Sequence, residues 1–204
     1  MLKEKRVVAY FNRHGNTEGN DKKIFRGQID FPLNAKGKQQ AEQAKKFLSD
    51  QSIGAVFSSP LQRALETCNI AVGYRGLQPV IIRGFLPLNT GKLQGLPKAG
   101  NEAIVIECNK NWNKKFPGGE SINDIVARAR IPILNAINLG VDNGKASGVF
   151  VHSSIMHVLG YVIVGDDKAC LVAPGGTIAV LFDGHGFETE AVHKPTEKDT
   201  MFGQ

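Results

Sequence analysis

Residues 7–17 read VVAYFNRHGNT, an apolar run that ends at a polar turn. Val, Tyr and Phe favour a buried strand, and the polar residues from Asn12 onward mark its end. Residues 149–154, VFVHSS, repeat this arrangement, with a short apolar strand followed at once by a histidine. Sites in α/β proteins gather where parallel strands end, so both turns are candidate functional loops.

Outward from these two turns, strands and helices alternate along the chain. The predicted helices lie near 41–48, 59–72, 101–113, 122–137 and 155–164, and the further strands near 54–58, 178–183 and 188–193. Ser59 and Pro60 predict the N-cap and first residue of the second helix. This order predicts a three-layer α/β/α sandwich with a mostly parallel sheet. We expect a single domain over residues 1–204 that ends in a loosely held tail at 194–204.

Composition narrows the class of protein. Hydrophobic residues make up 42% of the 204 and charged residues 22%, which excludes a disordered chain. No apolar run approaches the ~20 residues of a membrane span, and the N-terminus lacks a secretory pattern, so we expect a soluble cytoplasmic protein without a membrane partner. Cys68, Cys108 and Cys170 are too widely spaced for a zinc or disulfide motif and are predicted to be buried.

The net charge of +6 favours an anionic partner. Nucleic acid is not the expected one, because no basic stripe interleaved with aromatic residues is present. Arg13 and His14 at one strand end, Arg63 in a helix and His152 at another strand end would together form a phosphate pocket. Guanidinium groups bind phosphate oxygens in pairs, and an imidazole nitrogen attacks phosphorus when its proton sits on the other nitrogen. Oligomeric state is not predicted.

Several segments of the sequence resemble the motifs of one protein family whose chemistry is of this kind. Residues 13–20, RHGNTEGN, resemble the RHGxTxxN signature of the histidine phosphatase superfamily, which includes the cofactor-dependent phosphoglycerate mutases. Residues 27–37, GQIDFPLNAKG, and 58–67, SSPLQRALET, resemble two further segments of that family, in the family's order. Residues 118–121, GGES, and 174–176, PGG, also stand where the family has them. The resemblance therefore covers nearly the whole chain.

The resemblance implies a role for individual residues. His14 would be the nucleophile, while Arg13, Arg63 and His152 would bind and polarise the phosphoryl group. Asn20 would hydrogen-bond one of its oxygens. Other predicted phosphate or substrate contacts are Thr17, Arg26, Gly27 and Ser153. No metal and no cofactor is implied, because the phosphohistidine splits one displacement into two.

Some of these interpretations stay open at this point. Arg26 is equally well a solvated charge, and Ser153, where many members have Gly, would either cap a helix or touch phosphate. His157 is interpreted as structural, or as standing where many family members carry Arg. His185 and His193 have no partner motif and are interpreted as solvated or turn histidines. The side chains of Arg128 and Arg130 are expected to be solvated on a helix face.

The general acid is the main departure from the family. Pro87 stands where many members carry Glu, and Asn89 where some relatives carry Asp; neither side chain donates a proton. The acid is therefore unassigned, with Glu18 and Glu120 as candidates, and hydrolysis should depend steeply on the leaving group. The predicted function is a phosphomonoesterase acting on an anionic phosphorylated small molecule or phosphoprotein. The alternatives are a phosphate-binding regulatory protein with impaired catalysis and a phosphoglycerate mutase-type phosphotransferase.

Overall fold

A six-stranded sheet forms the centre of the computed structural model, which describes residues 5–195. In chain order the strands are β1 (Arg6–Arg13), β2 (Ile53–Ser58), β3 (Val80–Ile81), β4 (Ala146–Val151), β5 (Thr177–Phe182) and β6 (Phe187–His193). Their spatial order is β3-β2-β4-β1-β5-β6. The first four strands of this order are parallel, and β5 and β6 are antiparallel to their neighbours. The prediction of a mostly parallel sheet is confirmed.

Helices cover both faces of this sheet. They are α1 (Glu18–Asp21), α2 (Ala35–Ser49), α3 (Gln62–Val72), α4 (Glu102–Lys110), α5 (Ile122–Asn143) and α6 (Ser153–Val164). Side chains of α2 and α3, including Leu48 and Cys68, pack with Tyr10 and Phe150 on one face. Side chains of α4, α5 and α6 pack with Phe11 and Val149 on the other. These two apolar layers confirm the three-layer sandwich.

The start of α3 differs from the sequence prediction. Its N-cap is Leu61 and its first residue is Gln62, so Ser59 and Pro60 precede the helix. The reason is that Ser59 still belongs to the edge of the sheet: its N–H donates to the carbonyl of Phe150, 3.0 Å away. Its hydroxyl lies 2.7 Å from His152 Nε2 in the turn after β4, and it also accepts a longer bond, of 3.4 Å, from the N–H of Leu61.

Strand register brings the two histidine turns together. β1 pairs with β4 so that Arg13 lies opposite Val151, and the N–H of His14 donates to the carbonyl of Val151 at 3.0 Å. His152 follows Val151 directly and is the N-cap of α6. The carboxyl ends of two adjacent parallel strands therefore present His14 and His152 at one edge of the sheet.

Gly15 holds the turn after His14 close to the start of α2. A Cβ at Gly15 would lie 2.4 Å from the carbonyl oxygen of Gly37, and one at Gly37 would lie 2.1 Å from that of Asn16. The N–H of Gly15 donates to Thr67 Oγ1 at 3.0 Å. Gly15 has no Cβ and therefore lets these two backbone segments pack closely against each other.

Within residues 5–195, no helix has the length and apolar character needed to cross a bilayer. The loosely held tail predicted at 194–204 lies outside the described residues from position 196 onward.

Candidate active site

Two buried imidazoles form the centre of the candidate site. The ring centroids of His14 and His152 are 5.2 Å apart, and their planes are tilted by 59°. Only 1% of His14 and 2% of His152 is exposed. Each histidine follows the end of a strand, as the sequence pattern predicted, and strand pairing makes them neighbours.

The hydrogen bonds of His14 decide which of its nitrogens carries the proton. Its Nδ1 lies 2.6 Å from the carbonyl oxygen of Gly15. Because a carbonyl only accepts, Nδ1 is the protonated nitrogen of the neutral ring. The lone pair is then on Nε2, which is the form of imidazole that attacks an electrophile.

His152 has the opposite arrangement. Arg63 Nε donates to His152 Nδ1 at 3.3 Å, so Nδ1 carries the lone pair and Nε2 carries the proton. Nε2 lies 2.7 Å from Ser59 Oγ and donates to it. Both nitrogens of His152 are therefore engaged with the protein, and Ser59 and Arg63 orient its ring.

Burial and positive charge keep both imidazoles neutral. Burial, followed by the charges of Arg63 and Arg26, holds the pKa of His14 well below its usual range. The same causes, in the same order, hold the pKa of His152 well below its usual range. A neutral imidazole at physiological pH is the form required of a nucleophile.

Arg63 is buried beneath the site, with 1% exposure. Nη1 donates to the carbonyl of Ile29 at 2.7 Å and Nη2 to that of Gly27 at 3.0 Å, in addition to the bond from Nε to His152. A guanidinium has five N–H donors, so one on each terminal nitrogen remains for a ligand. Burial, and then the charge of Arg26, lowers the pKa of Arg63 to about 9, which leaves it charged at neutral pH.

Arg26 belongs to the site rather than to the solvent. It lines the cleft around His14, and its Nη1 donates to Asn20 Oδ1. Asn20 Oδ1 also accepts from the N–H of Thr17 at 3.1 Å and from Thr17 Oγ1 at 2.8 Å. Asn20 thus contacts both Arg26 and Thr17, and neither Asn20 nor Thr17 lines the cleft.

A cleft of about 460 Å³ opens over these groups. Of the predicted site residues, it is lined by His14, Arg26, Gly27, Arg63, His152 and Ser153. Arg13 does not line the cleft. Its Nη1 donates to the carbonyl of Val172 at 2.7 Å, and its charge lowers the pKa of both histidines. Ser153 is the first residue of α6 and not its N-cap, and its buried Oγ has no hydrogen-bond partner among the described residues.

No residue that lines this cleft carries a carboxyl group. Pro87 lies in its wall, at the position where the family resemblance placed an acid. Glu18 pairs with Lys22 on the surface, where 63% of its side chain is exposed. Glu120 pairs with Arg128 outside the cleft, and its Oε2 accepts from the N–H of Asn89 at 2.9 Å.

The expectation that Arg128 is solvated is wrong. Nε and Nη2 donate to the two carboxylate oxygens of Glu120, at 2.7 and 2.9 Å. The remaining bonds go to the carbonyls of Gly84, Leu86 and Pro87, at 2.8, 2.7 and 3.0 Å. Arg128 therefore fixes the loop of residues 84–87, which contributes Pro87 to the wall of the cleft. Arg130 is exposed, as expected.

The remaining histidines stand apart from the cleft. His157 is buried in α6 with Nδ1 3.6 Å from a carboxylate oxygen of Asp167. His185 is exposed in the turn between β5 and β6, and the ring of His193 stacks on Phe47 at 5.9 Å. The three cysteines are buried and unpaired, as predicted.

Comparison with known proteins decides the family. The model of the histidine phosphatase superfamily (branch 1) matches residues 9–189. The chain belongs to the histidine phosphatase superfamily. Among curated members, a 2,3-bisphosphoglycerate-dependent phosphoglycerate mutase of Methylorubrum extorquens strain PA1 is 31% identical over 163 residues, covering 75% of this chain and 77% of the mutase. An uncharacterised phosphatase of Bacillus subtilis strain 168 is 29% identical over 156 residues, covering 76% of each chain.

Solved structures of other histidine phosphatases share this fold. A mycobacterial glucosyl-3-phosphoglycerate phosphatase in complex with VO3 matches with a TM-score of 0.80 and 20% identity, over 93% of this chain and all of the other. A phosphoglycerate mutase of Bacillus anthracis matches with a TM-score of 0.78 and 20% identity, over 94% of each chain. At this identity the likeness shows the fold alone.

Sequence reasoning missed four residues of the candidate site of this histidine phosphatase. Ser59 orients His152, Thr67 binds the turn after His14, and Thr90 and Lys98 line the cleft. Ser59 and Thr67 lie within the segment at 58–67 that resembles the family pattern, so their hydroxyls were available as a signal. Nothing in the sequence around Thr90 or Lys98 indicated a position in the cleft.

Proposed function

We propose that this chain is a metal-independent phosphomonoesterase that works through a phosphohistidine on His14. The observation that carries this proposal is the proton arrangement of the two imidazoles. His14 has its Nε2 lone pair available in a cleft, whereas both nitrogens of His152 are engaged with Arg63 and Ser59. The nucleophile is therefore His14, and His152 lies beside it as a neutral ring that Arg63 and Ser59 orient.

The phosphoryl group binds among fixed positive charges. Arg63 offers two N–H donors from a buried guanidinium, and Arg13 and Arg26 add charge close enough to lower the pKa of both histidines. Buried arginines act strongly on an anion because little water screens them. The hydroxyl of Ser153 and the backbone at Gly27 complete the contacts of an anionic phosphorylated substrate.

Asn20 and Thr17 have an indirect role in this proposal. Asn20 accepts from the Arg26 guanidinium and Thr17 donates to Asn20, so both residues position Arg26 to bind phosphate and do not touch phosphate themselves. This differs from the role that the family resemblance implied for Asn20.

Hydrolysis proceeds in two displacements. Nε2 of His14 attacks phosphorus, and the bond from phosphorus to the leaving oxygen breaks with its electron pair on oxygen. Water then attacks phosphorus, the P–N bond breaks with its electron pair returning to Nε2, inorganic phosphate leaves, and the proton lost by water goes to solvent. Both steps are governed by positioning and by stabilisation of the phosphoryl charge.

Chemical quenching tests the proposal directly. The wild type is mixed with radiolabelled p-nitrophenyl phosphate in the presence of EDTA and quenched in base, where phosphohistidine survives. We expect label on His14 in the wild type, no label in His14→Ala, and unchanged labelling in His185→Ala, which removes an exposed histidine. Equal labelling of His14→Ala and wild type would refute the assignment.

Phosphoglycerate mutase activity is the second candidate, because curated relatives of 31% identity carry that name. The two activities differ in the acceptor of the phosphoryl group. A mutase passes it from the histidine to a phosphoglycerate, whereas a phosphatase passes it to water. Adding 3-phosphoglycerate to the labelled enzyme separates them, since only the mutase returns the label to an organic phosphate. A protein that only binds phosphate would bind vanadate and acquire no label.

A further inference from the structure

The hydroxyl of Thr90 is a polar group of the cleft that the phosphate contacts proposed above do not use. Thr90 lines the cleft and is 6% exposed, and its Oγ1 has no hydrogen-bond partner among the described residues. A buried hydroxyl that is left without a partner destabilises the fold. The neighbouring backbone is tightly held, because Asn89 Oδ1 accepts from the N–H of Gly91 at 2.9 Å and Arg128 holds the same loop. Thr90 is therefore fixed in place beside the cleft, and its covered hydroxyl lacks a partner among the described residues.

The direction of attack places the leaving group against this loop. The attacking and leaving atoms of phosphoryl transfer lie roughly in line on opposite sides of phosphorus. Nε2 of His14 belongs to the wall formed by the strand ends. A leaving oxygen that points away from the strand ends meets the other residues that line the cleft, which include Pro87 and Thr90.

The donors on those walls fix what kind of leaving group can depart. Their side-chain donors are Thr90, Arg26 and Lys98. A threonine hydroxyl and a guanidinium give hydrogen bonds but keep their protons at neutral pH. Unless Lys98 gives up a proton, the leaving oxygen must depart as an anion. The apolar residues Ile24 and Phe25 line the same cleft and suit a hydrocarbon group.

Resting on the phosphatase function above, we propose that Thr90 binds the departing oxygen and that the site hydrolyses acyl phosphates, the mixed anhydrides of a carboxylic acid and phosphoric acid. His14 attacks phosphorus, the bond to the acyl oxygen breaks, and the electron pair leaves on a carboxylate that needs no proton. Water then releases inorganic phosphate and one proton to solvent. A carboxylate leaving group fits this part of the cleft better than a phenolate does, because its second oxygen can form an ion pair with Arg26 or Lys98.

A substrate series with one ring tests the leaving group. Benzoyl, phenyl and benzyl phosphate release progressively more basic oxygens, and the rate of phosphohistidine formation is measured for each by rapid quenching. Without a general acid, whose contribution is typically about 10²–10⁴-fold, benzyl phosphate should react at least about 100-fold more slowly than benzoyl phosphate. Pro87→Glu restores an acid at the cleft and should raise the benzyl phosphate rate by about 10- to 1000-fold with little gain for benzoyl phosphate.

Thr90→Val removes the hydroxyl at nearly constant shape. It should slow phosphohistidine formation from benzoyl phosphate by about 10- to 100-fold, as expected for a lost hydrogen bond to a charged group. Inhibition by inorganic phosphate should not change, because no leaving group is present. Thr90→Ser should retain most of the rate. Ser147→Ala is the matched control, since Ser147 Oγ is also buried without a described partner but lies in β4, outside the cleft.

Each contrary result has a distinct meaning. Wild-type rates in Thr90→Val would overturn the role of Thr90, and equally weakened phosphate inhibition would place Thr90 on the phosphoryl group. Benzyl phosphate reacting as fast as benzoyl phosphate would overturn the substrate class, and loss of that benzyl rate in Lys98→Met would identify Lys98 as the acid. Absence of phosphohistidine with all three substrates would instead overturn the phosphatase function itself.

Discussion

Replacing Arg128 by Met tests the ion pair that holds the wall of the cleft. Arg128 makes five hydrogen bonds, two to Glu120 and three to carbonyls of residues 84, 86 and 87. Side-chain exposure is 24% for Arg128 and 22% for Glu120, so water can replace part of what is lost. At about 1 kcal/mol net for each bond, and less after rehydration, we expect a loss of about 2–4 kcal/mol in the free energy of unfolding.

Urea denaturation followed by circular dichroism measures this loss. With a slope near 2 kcal/mol per M, the midpoint should fall by about 1–2 M. Arg130→Met is the control, because it removes the same charge from the same helix at an exposed position; it should stay within about 0.5 kcal/mol of wild type. The KM of Arg128→Met should also rise, since the loop walls the cleft. Equal urea midpoints for Arg128→Met and Arg130→Met would show that the hydrogen bonds of Arg128 do not stabilise the fold.

Two further predictions concern the phosphate pocket. Arg63→Lys should lower kcat/KM by about 10²–10³-fold, because an ammonium cannot bind the carbonyls of Gly27 and Ile29 and phosphate together. Arg75→Lys, which breaks guanidinium bonds to carbonyls far from the cleft, should leave kcat/KM near wild type, and a similar loss there would assign the effect to folding. His14 must be neutral to attack, and its pKa is lowered. We therefore expect kcat/KM to be constant from pH 8 to pH 7 and to fall only below the usual imidazole pKa of about 6.5. Arg26→Gln removes a charge that lowers this pKa and should move the acid limb upward; a downward shift would contradict the electrostatic account.

The local sequence predicted that each of the two histidines follows the end of a strand. An apolar run followed by RHG or HSS predicts a strand that ends at a histidine, and β1 and β4 end at those places. The start of α3 was misplaced because Ser59 is a good N-cap by residue type, whereas its N–H and hydroxyl are used by Phe150 and His152. Propensity describes what a residue prefers locally, and a distant partner overrode that preference.

The sequence alone determined the family pattern, the alternation of strands and helices, and the residue types of a phosphate pocket. These follow from local propensity and from motifs whose members are close along the chain. The tertiary structure decided which nitrogen of each imidazole is protonated, the ion pair between Arg128 and Glu120, and the position of Thr90 in the cleft. Ser59 and His152 are 93 positions apart and meet only because β2 and β4 pair side by side. Hydrogen-bond partners of this kind depend on which distant segments pack together, and no local pattern encodes that choice.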